Sequence, residues 1–388
     1  MDLNAQIFDK NHFALGFFSP NCDGGNTIAS IPDSWVATWD SLTELTVAAD
    51  RAGLEFMLPI WRFRGWSGPS GFQRNGLDTL TYAAAMAAIT ERIVLFSTLN
   101  ITTMNPVVVA KQIASIDQLS KGRAGINIVA GWNPREQKLF GIPTLAHDDL
   151  YAYGEEWVEI AKLVWAGGDQ YAEYRGKYFD ATHLNEVQGP HPYSGNPILL
   201  NAAQSKVGQS FATKHCDFLL HASTDLDMSR VAVPAMKAEM REKHGRELNI
   251  MTTAHIICRS TEAEARDYRQ YVLDHADLQA TEDLMSSMMG AKKLEVMNMH
   301  LPGDATEEEI QANYERQRDR WTLGHGTYGP ITGTPDQVAE TMCRMKEIGY
   351  SGLAFSFTNY MKELPYFQQE VMPRLEKLGV RQPLTEYA

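Results

Sequence analysis

The side chains best able to do chemistry in this sequence are amides, hydroxyls and aromatics standing where apolar runs end. In Gly125–Gly141, GINIVAGWNPREQKLFG, Asn127 interrupts a continuous apolar run of the kind found in strands buried on both faces. A buried amide left unpaired costs roughly 1–3 kcal/mol, so Asn127 must meet either a neighbouring strand or a ligand. Both readings stay open on these residues alone. Gly131 and Trp132 follow at once, and Glu136 lies farther along the polar loop. Comparable residues close other runs: Trp61 and Arg62 after LEFMLPI, Thr98 and Asn100 in IVLFSTLN, Asn201 to Ser205 after PILL, and His221 after CDFLL. Arg62 and Arg64 suit an anionic ligand or, more ordinarily, a solvated loop edge.

These groups are fit to hold a ligand rather than to cleave one. No pair of carboxylates dominates, and the sequence has no HExxH, Walker loop or Gly-x-Ser-x-Gly elbow. Hydrolytic and metal-assisted mechanisms have no positive support, so a cofactor is expected to carry the chemistry and no metal site is expected. The segment NAAQSKVG, Asn201 to Gly208, is the best phosphate candidate. Its small residues allow close backbone approach, and a helix starting there presents free N–H groups at its positive end. Ser205 as the helix cap is compatible with that role.

Composition narrows the partners. With 35 Lys and Arg against 48 Asp and Glu, the formal charge is −13, which argues against a phosphate-backbone partner. Nucleic acid is not expected. Cys22, Cys216, Cys258 and Cys343 are far apart and lack metal-ligand spacing, so they are expected to be reduced thiols. The opening MDLNAQIFDKNHF has no basic region leading into an apolar core, and no later run reaches membrane-spanning length. A cytoplasmic protein without membrane contact is expected by default.

The elements that position these residues alternate along the chain. Strands are expected over residues 13–20, 54–61, 93–101, from Gly125, and over 196–205, 216–222, 248–258 and 352–359. Helices intervene: Leu42, Leu45, Val47, Ala48, Ala49 and Ala52 give one apolar face closed by Gly53, Pro106 opens another helix, and Thr334 caps a third. Asp149–Trp165, Lys206–His215 and Leu226–His244 continue the series, and YAEYRGKYFDATH is a short hairpin excursion. Eight strands alternating with eight helices is the pattern of a TIM barrel, here one domain over 1–388 with insertions at the carboxyl ends of the strands. Residues 277–327, rich in Met and charged residues, break the rhythm and are expected to form a lid insertion. A doubly wound sheet is the alternative, but its Gly-x-Gly-x-x-Gly fingerprint is missing.

GRAGINIVAGWN, DLYAYGEEW, NAAQSKVG and ITGTPDQVAE, together with TLNITTMNPVVVAKQIASIDQLSKGR, resemble the bacterial luciferase-like flavin monooxygenases over nearly the whole chain. Within them the resemblance is to the pyrimidine oxygenase and dimethyl sulfone monooxygenase branch. It implies a two-component enzyme that receives reduced FMN from a separate NAD(P)H:flavin reductase and activates O2 as a flavin peroxide. The substrate implied is a small heterocyclic amide, heteroaromatic or organosulfur compound, and the assembly implied is a homo-oligomer. Position by position, Trp61 and Arg62 match the flavin-contacting pair after the second strand. Asn127 matches the flavin-binding amide and Glu136 a contact farther along that loop. Tyr151 and Ser205 match the remaining flavin contacts, with the serine at the phosphate. Thr98 and Asn127 correspond to the residues lining the oxygen site, and Trp132 walls it, so these three are the expected catalytic residues. A hydroxyl and an amide can hold a small oxygen adduct without a titrating group. A deazaflavin-dependent dehydrogenase of the same fold and a non-catalytic flavin-binding protein are the competing readings.

Overall fold

The computed structural model describes residues 5–131, 133–142, 145–222, 225–289, 304–324 and 330–383. Eight strands form its centre: β1 (Ala14–Phe18), β2 (Phe56–Leu58), β3 (Val94–Asn100), β4 (Ala124–Val129), β5 (Ile198–Ala202), β6 (Phe218–Leu220), β7 (Asn249–Cys258) and β8 (Gly352–Ser356). Each pairs in parallel with its neighbours in sequence, and β8 pairs with β1, so the sheet closes into the expected barrel. A ninth strand, Pro330–Gly333, runs beside His255–Cys258 of β7, whereas β6 meets β7 at Asn249–Met251. The sequence reading did not include this strand, because PITG is short, holds Pro and Gly, and has no alternation. The hairpin excursion is a ribbon of Tyr174–Arg175 against Asp180–Ala181.

Alternation within each strand sends every second side chain inward. Phe56, Leu58, Val94, Phe96, Leu200, Phe218, Leu220 and Met251 fill the interior, with Ile7 packed on the same cluster. Two glycines make room for rings: a Cβ on Gly16 would lie 2.3 Å from Phe56, and one on Gly125 would lie 2.5 Å from Phe96. Continuing the alternation toward the carboxyl ends, Phe96 is followed by Thr98 and Asn100, Leu200 by Ala202, and Met251 by Thr253. The interior thus changes from packed apolar rings to small and polar groups as it nears the mouth.

Helix boundaries follow local chemistry. Thr38 and Ser41 form a capping box at Trp39–Ala52, and Gly53 at φ 79° closes it. Asn105 accepts from Val107 N and Val108 N before Pro106–Ser120, and Thr334 with Gln337 caps Pro335–Ile348. The last helical segment, Tyr360–Lys377, contains one π-helical stretch at Phe367–Val371. Beside the loop after β2, helices Leu278–Met289 and Glu307–Thr322 pack Ala280, Leu284, Tyr314 and Trp321 against Ile28, Trp66 and Phe72.

Buried polar groups clamp the amino-terminal ends of the strands. Arg123 donates to the carbonyls of Ala87, Thr90, Ile93 and Ser120, and Asp50 accepts from the amides of Glu91, Arg92 and Ile93. Glu55 accepts from Leu15 N at 2.7 Å, His12 Nε2 at 2.9 Å and Arg381 Nη2 at 2.8 Å, joining β1, β2 and the chain's C-terminal segment. Burial pushes the Glu55 carboxyl up, but Arg381, His12 and the Leu15 amide outweigh it and hold it below its ordinary 4.5. A pKa lower in the folded state means that this stabilisation is present above the unfolded value and is lost as pH falls through the folded one. Glu55→Gln is therefore expected to lower unfolding free energy by about 3–5 kcal/mol at neutral pH. In urea titrations, the gap from wild type should narrow as pH is taken below 4.5.

Candidate functional site

The polar upper interior opens into a cavity of about 240 Å³ at the carboxyl ends of the strands. Its wall combines Phe18, Ile60, Trp61, Val129 and Leu220 with Thr98, Asn100, Asn127, Asn133, Gln204 and Thr253, and Arg62 and Glu136 border it. Met288, from the helix Leu278–Met289, completes the lining. Among the described residues no group of three or more His, Cys, Asp or Glu side chains is placed to hold a metal ion. A second cavity of about 380 Å³, around Arg259, Tyr268 and Glu363, shares no lining residue with the first. Four of its charged groups are paired, Arg259 with Glu363 at 2.9 Å and Lys362 with Asp33, and Glu264 accepts from Ser260 Oγ and Thr261 N.

Thr98 and Asn127 stand side by side, one residue from each of two adjacent strands in register. The Thr98 hydroxyl donates to the Pro59 carbonyl and its oxygen accepts from Asn127 Nδ2 at 3.1 Å. The single hydroxyl proton is used on Pro59, which fixes the amide with its N–H side toward Thr98. Asn127 Oδ1 then has no hydrogen-bond partner among the described residues, although Asn127 is only 4% exposed. Asn127 is thus both a strand tie and the carrier of an unspent acceptor. Thr253 Oγ1, on the opposite side of the barrel from β3, is also buried without a partner among the described residues.

Arg62 and Glu136 are held by their surroundings. Glu136 Oε1 accepts from Phe63 N at 3.0 Å and Arg64 N at 3.3 Å, while Oε2 meets Arg62 Nη1 at 3.4 Å. Arg62 Nε donates to Gln73 Oε1 at 3.0 Å, and its guanidinium lies 5.3 Å from the Trp66 ring centroid. The pair stitches the loop after β2 to the loop after β4. Trp61 packs its ring against Phe63 and Phe140, at 4.7 and 5.4 Å between centroids.

Tyr151 and Ser205 make a second group at the rim, outside the cavity lining. Ser205 caps Lys206–His215 by accepting from Gly208 N at 3.2 Å. Burial raises the Tyr151 phenol, and a hydrogen bond with Ser205 works against that rise. Gln204 links this group to the cavity. With its amide set to satisfy both ends, it donates to His221 Nδ1 at 3.1 Å and accepts from Ala222 N at 2.9 Å. Burial pushes His221 below its ordinary value.

Of the residues singled out in the sequence, Trp61, Arg62, Thr98, Asn127 and Glu136 come together at one cavity, and Tyr151 and Ser205 adjoin it. Trp132 lies outside the described residues. His12 sits at the opposite end of the barrel on Glu55. The sequence reading missed Phe18, Thr253 and Met288, while Gln204 falls within the candidate stretch Asn201 to Ser205. The first two carried a signal, since they fall on the inward period of strands already identified. Met288 comes from the insertion, where no period exists to follow.

A closed parallel barrel whose mouth offers amides, hydroxyls and aromatic faces, with no nucleophile–base pair lining it among the described residues, has the architecture of a barrel enzyme that holds a ligand at its mouth. The chain belongs to the luciferase-like monooxygenase family, whose sequence profile matches residues 13–352. It is 27% identical over 376 residues to the pyrimidine monooxygenase RutA of Bradyrhizobium sp. (strain BTAi1 / ATCC BAA-1182), covering 95% of this chain and 98% of that protein. It is 25% identical over 370 residues to the FMNH2-dependent dimethylsulfone monooxygenase of Pseudomonas putida, covering 94% and 95%. The structure of DmoA from Hyphomicrobium sulfonivorans superposes with a TM-score of 0.82 at 20% identity, over 97% of this chain and 90% of that one. The homologues are flavin-dependent monooxygenases and the fold is theirs.

At Gly208 a Cβ would lie 2.4 Å from the Tyr151 hydroxyl and 2.6 Å from Ala203 Cβ. Gly208→Ala is therefore expected to push Tyr151 away from Ser205 and to lower stability by about 1–3 kcal/mol. Chemical denaturation checks the second effect, and the ultraviolet titration of the tyrosines checks the first.

Proposed function

We propose that this protein is a two-component, FMN-dependent monooxygenase that transfers one atom of O2 to a small uncharged heterocyclic amide, heteroaromatic or organosulfur substrate, the other atom leaving as water. The observation that carries the reading is the pairing of Thr98 with Asn127 at the cavity, which leaves a buried carboxamide oxygen unspent. A buried acceptor without a donor is unfavourable until a ligand N–H meets it, and a reduced isoalloxazine is rich in such groups. The cavity fits that ring by its chemistry as well, with apolar and aromatic walls and a few convergent amides.

Bound reduced FMN supplies two electrons and the centre at which oxygen is activated. The protein's part is to bind, orient and exclude water. Trp61 and Arg62 form one wall, with Arg62 set by Glu136 and Gln73. Thr98, its proton spent on the Pro59 carbonyl, holds the Asn127 amide in place, so that amide meets the ligand without reorganising during reaction. Tyr151, Ser205 and the free N–H groups at the start of Lys206–His215 suit the phosphate. Trp132 enters this reading through the family resemblance alone. A helix macrodipole with one hydroxyl is a modest grip, which suits a flavin that arrives reduced and leaves oxidised.

The whole chain acts as one barrel domain, and residues 277–327 serve as its lid. A separate NAD(P)H:flavin reductase delivers FMNH2, and the protein works in the cytoplasm as a homo-oligomer. What supports these points is the family resemblance, together with the absence of any described helix long and apolar enough to cross a membrane.

The test is anaerobic titration with reduced FMN, followed by oxygen consumption and product analysis with uracil and with dimethyl sulfone in the presence of a flavin reductase. Binding of reduced FMN with conversion of either compound supports the reading; failure to bind reduced FMN removes it. Preference for a reduced deazaflavin without oxygen uptake would instead favour a dehydrogenase. For Thr98→Ala, turnover is expected to fall by about 10²-fold while FMN affinity changes little, since one oriented polar group is lost. Unchanged turnover would remove Thr98 from the chemistry.

A further inference from the structure

Three segments meet on one carboxylate beside the barrel mouth. Asp283, midway along Leu278–Met289, accepts from Arg135 Nη1 at 2.6 Å with one oxygen and from Ser67 Oγ at 2.8 Å with the other. Ser67 belongs to the loop that carries Trp61 and Arg62, and Arg135 immediately precedes Glu136. The same carboxylate therefore touches both loops that the Arg62–Glu136 pair joins. Burial pushes the Asp283 carboxyl up, but the hydrogen bonds from Arg135 and Ser67 outweigh it and keep it ionised at neutral pH.

Asp277 supports the contact from the start of the helix. Its Oδ2 accepts from Ser70 N at 2.8 Å and Ser70 Oγ at 2.6 Å, and its Oδ1 caps the helix through Ala280 N at 3.1 Å. Trp66 lies between these polar ties. The guanidinium carbons of Arg62 and Arg135 lie 5.3 and 5.7 Å from its ring centroid, and the ring packs with Ala280, Leu284 and Met285. An apolar seat alone is non-directional and leaves the helix free to slide. Two charge-assisted hydrogen bonds to different loops fix its register. From that register Met288 reaches the cavity.

We propose that Asp283 is a positioning residue for the oxygenation site: its carboxylate latches Leu278–Met289 across both loops, so that Met288 covers the mouth only when the Arg62–Glu136 wall is assembled. In its kinetic part this rests on the monooxygenase reading. Covering the mouth excludes water and retains the substrate. With the latch open, reduced flavin and O2 end as oxidised flavin and hydrogen peroxide, and the substrate is left unoxidised.

Two measurements test the latch separately from the activity. In amide hydrogen exchange without flavin or substrate, Asp283→Asn is expected to speed exchange roughly three- to tenfold in Leu278–Met289 and in the loop containing Glu136, with the barrel strands unchanged. Equal exchange in both segments would overturn the latch, whatever the protein oxidises. With a flavin reductase and whichever of uracil or dimethyl sulfone is turned over, Asp283→Asn is expected to raise KM about fivefold and to divert more reduced flavin to hydrogen peroxide, with kcat less affected. Asp283→Glu should recover part of both. Faster exchange with unchanged KM and peroxide yield would overturn the positioning role. If wild type oxidises neither compound, the activity assignment fails while the exchange result still decides the latch.

Discussion

Closure of a parallel sheet on itself is the constraint from which the rest of this structure follows. Once β8 pairs with β1 the eight central strands form a closed ring, and each strand must send alternate side chains into one shared interior. That interior cannot be uniform. Phe56, Phe96 and Phe218 fill the lower part, and Gly16 and Gly125 make room for the first two rings. Above them the same alternation places Thr98, Asn100, Asn127 and Thr253, too small and too polar to close the space. The cavity is the part of the barrel that its own periodicity leaves unfilled.

The two ends of the barrel use polar groups in opposite ways. At the amino end, Glu55, Asp50 and Arg123 are engaged by several partners each, and they lock loops and strands together. At the carboxyl end, the Asn127 and Thr253 oxygens have none among the described residues. Other buried polar atoms also lack a partner among the described residues, Arg381 Nε and Nη1 at the amino end included, but those of Asn127 and Thr253 belong to the cavity lining, where a ligand can meet them. The division matches what barrel enzymes do, with stability built at one end and chemistry at the other.

Much of this was legible in the sequence because it is local. Gly53, Asn105 with Pro106, and Thr334 mark helix ends through their own backbone and side-chain chemistry, and the structure ends those helices there. Asn127 was conspicuous because an amide in an apolar run must have a reason. What stayed hidden is non-local. No pattern in PITG announces a ninth strand, since its partner lies some seventy residues earlier in β7. Nothing within PREQ tells that Glu136 would hold the amides of Phe63 and Arg64, and Ser67 and Asp283, 216 residues apart, meet only in the folded barrel. Ser205, by contrast, announced itself twice, as a helix cap and as the first polar hydroxyl after a buried strand.

The mouth's electrostatics set limits on the chemistry it can host. Among the described residues Arg62 and Glu136 are the charged side chains of the lining, and each is bound to the other and to neighbouring loop groups. A pair so placed contributes little net field to the cavity, and removing one member would leave the other uncompensated in a buried setting. The remaining donors and acceptors are amides and hydroxyls that do not titrate near neutrality. Recognition at this site therefore rests on shape, aromatic contact and uncharged hydrogen bonds. Among the described lining residues, titrating groups are confined to the paired Arg62 and Glu136, so an oxidation at this mouth leans on the bound cofactor.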